Sequence, residues 1–321
     1  MQIRHYHFTD LAARTRLVNR CLPDYPRTAE VLEHWDRRRP AVNYRHHLVG
    51  EIDGRIVAEA DLDSCSWCAD PGVFILDILV DPDHRSKGYA GQLWEAASEQ
   101  LARLRWTRLL GGALADNSVA VDWLERLGFT LDDTELTSRL ELEDYQRPAD
   151  YERVLERFRS QGFITKTYGG INDPEKERRL WELTEESCED MPGSLEYQRR
   201  SFKEWRRMTQ SPARDIDTTL VALDGDEFIG LTELSFKGGR QAPAEIDCTG
   251  TRREYRGRGV ATALKYLSVD WAKANGVTAI YTVNTQGNDG ILSINRKLGF
   301  ESRPPWLFYG LGNEDFAGLG I

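Results

Sequence analysis

The chain has 321 residues, 40% hydrophobic and 29% charged, with 42 Lys and Arg against 52 Asp and Glu for a net charge of −10. That length suggests two domains, each large enough for its own core. The acidic balance excludes the basic face that nucleic acid requires, and apolar runs as short as Val73-Phe74-Ile75-Leu76 exclude a membrane-spanning helix.

Gln2–Phe8 alternates as a strand, and Thr9-Asp10 offers an N-cap to helical sequence that runs toward Arg39-Pro40. The N-terminus shows no apolar run of the kind a secretory signal needs. Strands at Arg45–Glu51 and Arg55–Leu62 are joined by the turn Asp53-Gly54. Cys65 and Cys68 form a lone CxxC without a second Cys or His pair at metal spacing, so packing is expected of them and no metal. Five cysteines, an odd number, suit a reducing compartment, and a cytoplasmic location is expected. Val73–Val80 reads as an apolar strand broken by Asp77. A helix over Lys87–Leu104, a strand at Arg108–Leu114, a helix at Asn117–Leu127 and a strand near Ser138–Leu142 follow.

Asp144–Asp150, polar and containing Pro148, reads as the linker between domains 1–145 and 146–321. The second domain repeats the order of the first. Phe163–Tyr168 is a strand, a helix begins at Asp173-Pro174, and another follows Met191-Pro192-Gly193 through Arg206. Strands at Thr219–Leu223 and Glu227–Phe236 flank Asp224-Gly225-Asp226. Strand Ala244–Thr251 leads into a helix over Gly257–Ala274. Val277–Asn284 is a strand, Asp289–Leu298 a helix and Trp306–Leu311 the last strand.

The repetition is visible in the residues themselves. Arg85-Ser86-Lys87-Gly88-Tyr89-Ala90 matches Arg256-Gly257-Arg258-Gly259-Val260-Ala261 at an offset of 171 positions. The same offset relates Asn117 to Asn288 and Leu127-Gly128-Phe129 to Leu298-Gly299-Phe300. A gapless register of this length indicates two copies of one domain. In each copy the matched turn joins a strand to a long helix, whose first N–H groups lack internal partners and whose dipole is positive there. That makes an anion site suited to a pyrophosphate. Gly257 and Gly259 let the backbone approach closely, and Arg256 and Arg258 add charge. A dinucleotide-binding reading is weaker, because Thr262 stands where GxGxxG has its third glycine.

With those turns, the order of elements resembles the GNAT superfamily of acyl-CoA-dependent N-acyltransferases. The family's (Arg/Gln)-x-x-Gly-x-(Gly/Ala) motif is met twice, and so is its Asn before a helix ending in Leu-Gly-Phe. The resemblance covers nearly the whole chain as tandem copies, an arrangement known in the superfamily from mycothiol synthase. It implies an α/β fold of α+β type, with two GNAT-like domains, each a mixed central sheet flanked by helices. It also implies an acetyl-CoA-dependent N-acetyltransferase acting on a primary amine of a small molecule, as a monomer or homodimer. A non-catalytic acyl-CoA-binding scaffold or sensor is the alternative.

The resemblance further implies site residues. The cofactor's pantetheine arm is expected along Thr249, Gly250 and Thr251, with its pyrophosphate on Arg256–Thr262 and further contacts at Asn288 and Asn295. The corresponding residues of the first copy are Leu79, Val80, the turn Arg85–Ala90 and Asn117. A base must take a proton from the amine. Glu245, eleven residues before Arg256, has the spacing of the catalytic Glu in the family's histone-acetylating branch, and Asp247 is the reserve on the same strand face, with Thr249 beyond. The first copy has Phe74 at the position of Glu245 and keeps Asp77 at that of Cys248. Catalysis is therefore expected in the second domain, with the first non-catalytic. Many family members protonate the leaving thiolate with a Tyr where this chain has Asn295 and Leu124, which leaves the acid open. Trp181, Tyr197, Phe202 and Trp205 are expected mainly in the core. Glu185, Glu186, Glu189 and Asp190 are either an attraction for an amine or a solvated helix face.

Overall fold

The computed structural model describes residues 1–39 and 43–317, so Pro40 and the last four residues of the expected second domain lie outside the described residues. Strand β1 (Gln2–His5) is followed by helix α1 (Leu11–Cys21) and helix α2 (Ala29–Arg38). These are two helices where one was expected, because Pro23 and Pro26 cannot continue the first. Thr28 restarts the chain by accepting a hydrogen bond from the Val31 N–H. Next come β2 (Arg45–Ile52), β3 (Arg55–Ser64), β4 (Val73–Val80), α3 (Tyr89–Leu101), β5 (Arg108–Leu114), α4 (Ser118–Arg126) and β6 (Thr130–Glu141). Helix α5 (Tyr151–Ser160) was not expected; it buries Tyr151, Leu155 and Phe158 from one face. Then β7 (Phe163–Thr167) and α6 (Lys176–Glu189) lead to α7 (Phe202–Thr209). That last helix starts only at Ser201, whose side chain and that of Glu204 cap each other's backbone. The chain continues through β8 (Arg214–Asp224), β9 (Glu227–Ser235), β10 (Ala244–Thr251), α8 (Val260–Ala274), β11 (Ala279–Thr285), α9 (Asp289–Leu298), β12 (Glu301–Gly312) and α10 (Asn313–Ala317).

Two compact units result. Unit 1 comprises Met1–Thr134, Ser194–Glu196 and the chain from Pro305 onward; unit 2 comprises Glu135–Gly193 and Tyr197–Pro304. Among the described residues unit 1 has the sheet order β1-β2-β3-β4-β5-β12, and unit 2 has β7-β8-β9-β10-β11-β6. Neighbours are antiparallel except β4 with β5 and β10 with β11, which are parallel.

The division at 145/146 therefore differs from these units at two places. Glu135–Glu141 of β6 pair with Thr285–Ala279 of β11 in unit 2, and Trp306–Gly312 of β12 pair with Leu114–Arg108 of β5 in unit 1. Each sheet is completed by the strand that follows the other copy's Leu-Gly-Phe turn. The cores follow suit: Leu140 and Leu142 pack with Ile246, Leu264, Ile280 and Leu298, and Tyr309 and Leu311 pack with Phe74, Leu93 and Leu109. The stretch expected as a linker is structured, with Tyr145 buried and Asp150 accepting a hydrogen bond from the Tyr266 hydroxyl at 2.7 Å.

Candidate active site

Parallel β10 and β11 stay paired for three positions only, Ala244–Ile246 against Ile280–Thr282. On its other side β10 remains paired with β9 through Thr251. Beyond Ile246 the two parallel strands diverge. Among the described residues, the β11-facing edge of Asp247–Thr251 is left without a partner strand. A cavity of about 660 Å³ fills the gap, lined by Ile246–Thr251 on one side and Thr282–Asn284 on the other. The Thr251 hydroxyl there is buried and has no hydrogen-bond partner among the described residues. In unit 1, β4 likewise pairs with β5 only over Val73–Ile75 before running on to Val80.

The cavity ends at the turn into α8. Gly257 and Gly259 have φ of +74° and +87°, left-handed values that cost glycine nothing. Arg256 does not reach into open space: its Nε donates to the Thr251 carbonyl at 3.2 Å, and its guanidinium pairs with Asp190. Helix α5 holds the outer side. Arg157 donates to the Gly257 carbonyl and Gln161 to the Arg258 carbonyl, both at 3.1 Å. The first N–H groups of α8 have no intrahelical acceptor, and Gly257, Gly259, Val260, Ala261 and Thr262 line the cavity there. Arg258 does not line it; its guanidinium lies 4.9 Å from the Tyr255 ring centre. The unit 1 turn repeats this construction. Arg85 Nε donates to the Val80 carbonyl at 3.2 Å, Lys87 to the Asp83 carbonyl at 3.0 Å, and Gly88 has φ +80°.

The expected carboxylates are arranged by a bulge. Pairing with β9 shifts between Ile246 and Cys248, so Asp247 is the extra residue. The expected alternation of Glu245, Asp247 and Thr249 on one face is broken there. Through its partners, Thr249 shares a face with Ile246, and Cys248 shares one with Glu245. Asp247 lines the cavity, whereas Glu245 does not. Lys237 joins them, its Nζ 2.9 Å from Glu245 and 2.7 Å from Asp247. Glu233, opposite Cys248 on β9, was not anticipated; it is buried against Arg214, and burial with Asp247 nearby pushes its pKa up to about 7. In unit 1 no bulge interrupts β4, and Asp77 pairs with Asp61. Asp77 reaches water at the strand edge, yet protein encloses its carboxyl closely enough, with Asp61 and Glu59 adding, to raise its pKa to about 6.

Of the asparagines, Asn288 lines the cavity. Asn117 instead caps its own helix, accepting from the Ala120 N–H. Asn295 is buried behind the cavity wall, where its Nδ2 donates to the Asn284 oxygen at 2.8 Å and its oxygen accepts from Lys265 Nζ. Lys265 itself lines the cavity and no motif marked it, although comparison of the two copies sets it opposite the buried Trp94. The α6 carboxylates are engaged with arginines: Glu185 with Arg200, Glu186 with Arg252, Glu189 with Arg199, and Asp190 with Arg253 and Arg256. Trp205 is buried in the core with Trp181 and Phe202 packed beside it, and the Tyr197 hydroxyl donates to Glu185.

Comparison with known proteins agrees with this geometry. The acetyltransferase (GNAT) family profile matches twice, at residues 11–129 and 179–300. The tandem GNAT protein from the clavulanic acid biosynthesis pathway is similar over 97% of this chain and 98% of its own, with a TM-score of 0.74 and 18% identity. A GCN5-related N-acetyltransferase from Sphaerobacter thermophilus is similar over 97% and 95%, with a TM-score of 0.68 and 19% identity. In sequence, N-alpha-acetyltransferase 30 of Schizosaccharomyces pombe is 33% identical over 84 residues, 26% of this chain; the match spans 56% of that relative's length. Two profile matches that together span most of the chain, each containing one such strand–turn–helix, establish that it belongs to the acetyltransferase (GNAT) family.

Proposed function

We propose that unit 2 transfers an acetyl group from acetyl-CoA to a primary amine of a small molecule. The observation that carries this reading is one cavity in which an unpaired strand edge, a helix N-terminus and a bulge-borne carboxylate meet. An extended pantetheine arm can hydrogen-bond Asp247–Thr251 as a further strand would. The unpartnered Thr251 hydroxyl offers a polar contact beside it. The pyrophosphate suits the N–H groups at Gly257–Ala261. Bound there, acetyl-CoA would supply an acyl group activated as a thioester.

The chain's own residues supply proton handling and position. Asp247 accepts the amine proton, directly or through water, and Lys237 fixes it relative to Glu245. Unit 1 serves mainly as structure. Its acids Glu59, Asp36 and Asp61 are paired with Arg14 and Arg45 at 2.6–3.1 Å, and Leu76 and Phe74 stand where unit 2 has Asp247 and Glu245. Free-thiol release from acetyl-CoA across a panel of amines tests the reading. Asp247→Asn should lower turnover by about 10²–10⁴-fold with little change in coenzyme A affinity, and Glu245→Gln by less. Wild-type rates in both variants would remove the carboxylates from the reaction. A wild-type chain that binds coenzyme A but releases no thiol with any amine would favour a binding role instead.

A further inference from the structure

Lys265 occupies a position where the fold does not ask for charge. It lies one turn from Ala261 and one from Val269 on the inner row of α8, and it is fully buried. The equivalent residue of the first copy is Trp94, and the equivalent of its partner Asn295 is Leu124, both buried. A tryptophan and a leucine fill this place in one unit, and unit 2 holds an amine there instead. Among the described residues the Lys265 ammonium has one hydrogen-bond partner, Asn295, and no carboxylate pairs with it. The Phe300 ring lies 5.5 Å away. A buried ammonium without a counter-ion is costly, so its retention calls for a use.

The use is indicated by what it faces. Lys265 is a fully buried part of the cavity wall, and Asn295 links its ammonium to Asn284, which lines the same cavity at the point where β11 leaves β10. We propose that Lys265, held by Asn295, is the proton donor to the sulfur that departs when unit 2 transfers its acyl group. The inference rests on the acetyl-CoA reading above. The acceptor nitrogen forms its bond to the acyl carbon, the carbon–sulfur bond breaks, and the sulfur takes a proton from Lys265 Nζ. Coenzyme A leaves as the thiol and Lys265 is left neutral; the proton released by the amine, passed through Asp247 or water, restores the charge. Burial alone lowers the Lys265 pKa to about 7, which makes the ammonium a ready donor to a thiolate whose thiol ordinarily has a pKa near 8.5. The charged and titratable groups that line the cavity with it are Asp247 and Cys248 on β10, Asp190, Tyr255 and Arg256 near the turn, Arg157 on α5 and Lys297 on α9.

Two measurements on the full chain test this. Lysine side-chain NMR, with the Lys265 signal assigned by its loss in Lys265→Met, reads its titration with coenzyme A and with desulfo-coenzyme A. The expected result is a Lys265 pKa that moves with the thiol-bearing ligand only; the same shift with both ligands would overturn the proposal. Kinetically, wild-type turnover should fall as pH rises above about 7 and Lys265 loses its proton. Lys265→Met should be about 10²-fold slower at unchanged coenzyme A affinity and lack that alkaline limb. Lys265→Arg, whose proton stays bound, should behave alike. With p-nitrophenyl acetate, whose leaving group needs no proton, the deficit should vanish. An unchanged alkaline limb, or an equal deficit with both acyl donors, would refute the role while leaving acetyl transfer intact. A wild-type chain that binds no coenzyme A would overturn both readings. Folding is checked by melting. The folded-state pKa lies below the unfolded value, so the penalty of the buried charge is full below about pH 7 and fades toward pH 10.5. Lys265→Met should therefore melt at or above wild type, most clearly in acid.

Discussion

Ser86 holds a left-handed φ of +59° where unit 2 has Gly257 at +74°. Both turns follow the same path, but serine carries a Cβ that clashes in this region, at a cost of about 1–2 kcal/mol. Glycine would relieve the clash and return part of the gain as greater freedom of the unfolded chain. Ser86→Gly should thus stabilise the protein by about 0.5–1 kcal/mol, seen as a higher urea midpoint at unchanged slope. An unchanged midpoint would mean that the serine conformation carries no strain. The turn was legible in sequence because its first arginine, one glycine and the alanine recur in register. Other parts of the site were not. The run Glu245-Ile246-Asp247-Cys248-Thr249 reads as regular alternation, and only the partner strand β9 forces the bulge that turns Asp247 into the cavity. Lys265 belongs to no motif, since its significance lies in burial, which one lysine in a helix does not announce.

At the level of elements, strands and most helices follow from local pattern, and β4, β5, β10 and α9 have close to the extents expected. Helix α5 escaped because Glu and Arg surround Tyr151, Leu155 and Phe158, directly after a proline-containing polar stretch. It is nevertheless the element that braces the turn proposed to hold the pyrophosphate, since Arg157 and Gln161 hold the carbonyls of Gly257 and Arg258. Each such hydrogen bond contributes about 0.5–1.5 kcal/mol to holding the turn in place. Removing both with Arg157→Ala and Gln161→Ala should weaken coenzyme A binding by about tenfold while the far-ultraviolet circular dichroism stays unchanged. Calorimetry that finds wild-type affinity in the double variant would leave α5 as packing alone.

Across the molecule, the 171-residue offset reveals two copies but not which strand completes which sheet, because a repeat in sequence locates strands without naming their hydrogen-bond partners. The pairing assigns β6 to unit 2 and β12 to unit 1. Chain cuts should therefore respect residues 135 and 304 and not the polar stretch near 145. A fragment of residues 135–304 carries all six strands of its sheet and should unfold cooperatively and bind coenzyme A. A fragment of residues 146–321 lacks β6, leaves the edge of β11 bare and carries the apolar Trp306–Leu311 with no β5 to receive it, so it should aggregate. Equal melting curves and gel-filtration profiles for the two fragments would contradict the assignment.

The exchange also sets an order of events on the ribosome. Strand β5 is synthesised well before its neighbour, because Trp306–Gly312 are made some 190 residues after Leu114, a wait of roughly 10–40 s at the usual ~5–20 residues per second. The half of the protein that is made first is thus the last to be finished, and through that interval it presents an unmatched strand to its surroundings. A stop codon just before Trp306 would spare the sheet of the half in which it falls. It would cripple the sheet to which Leu114 belongs.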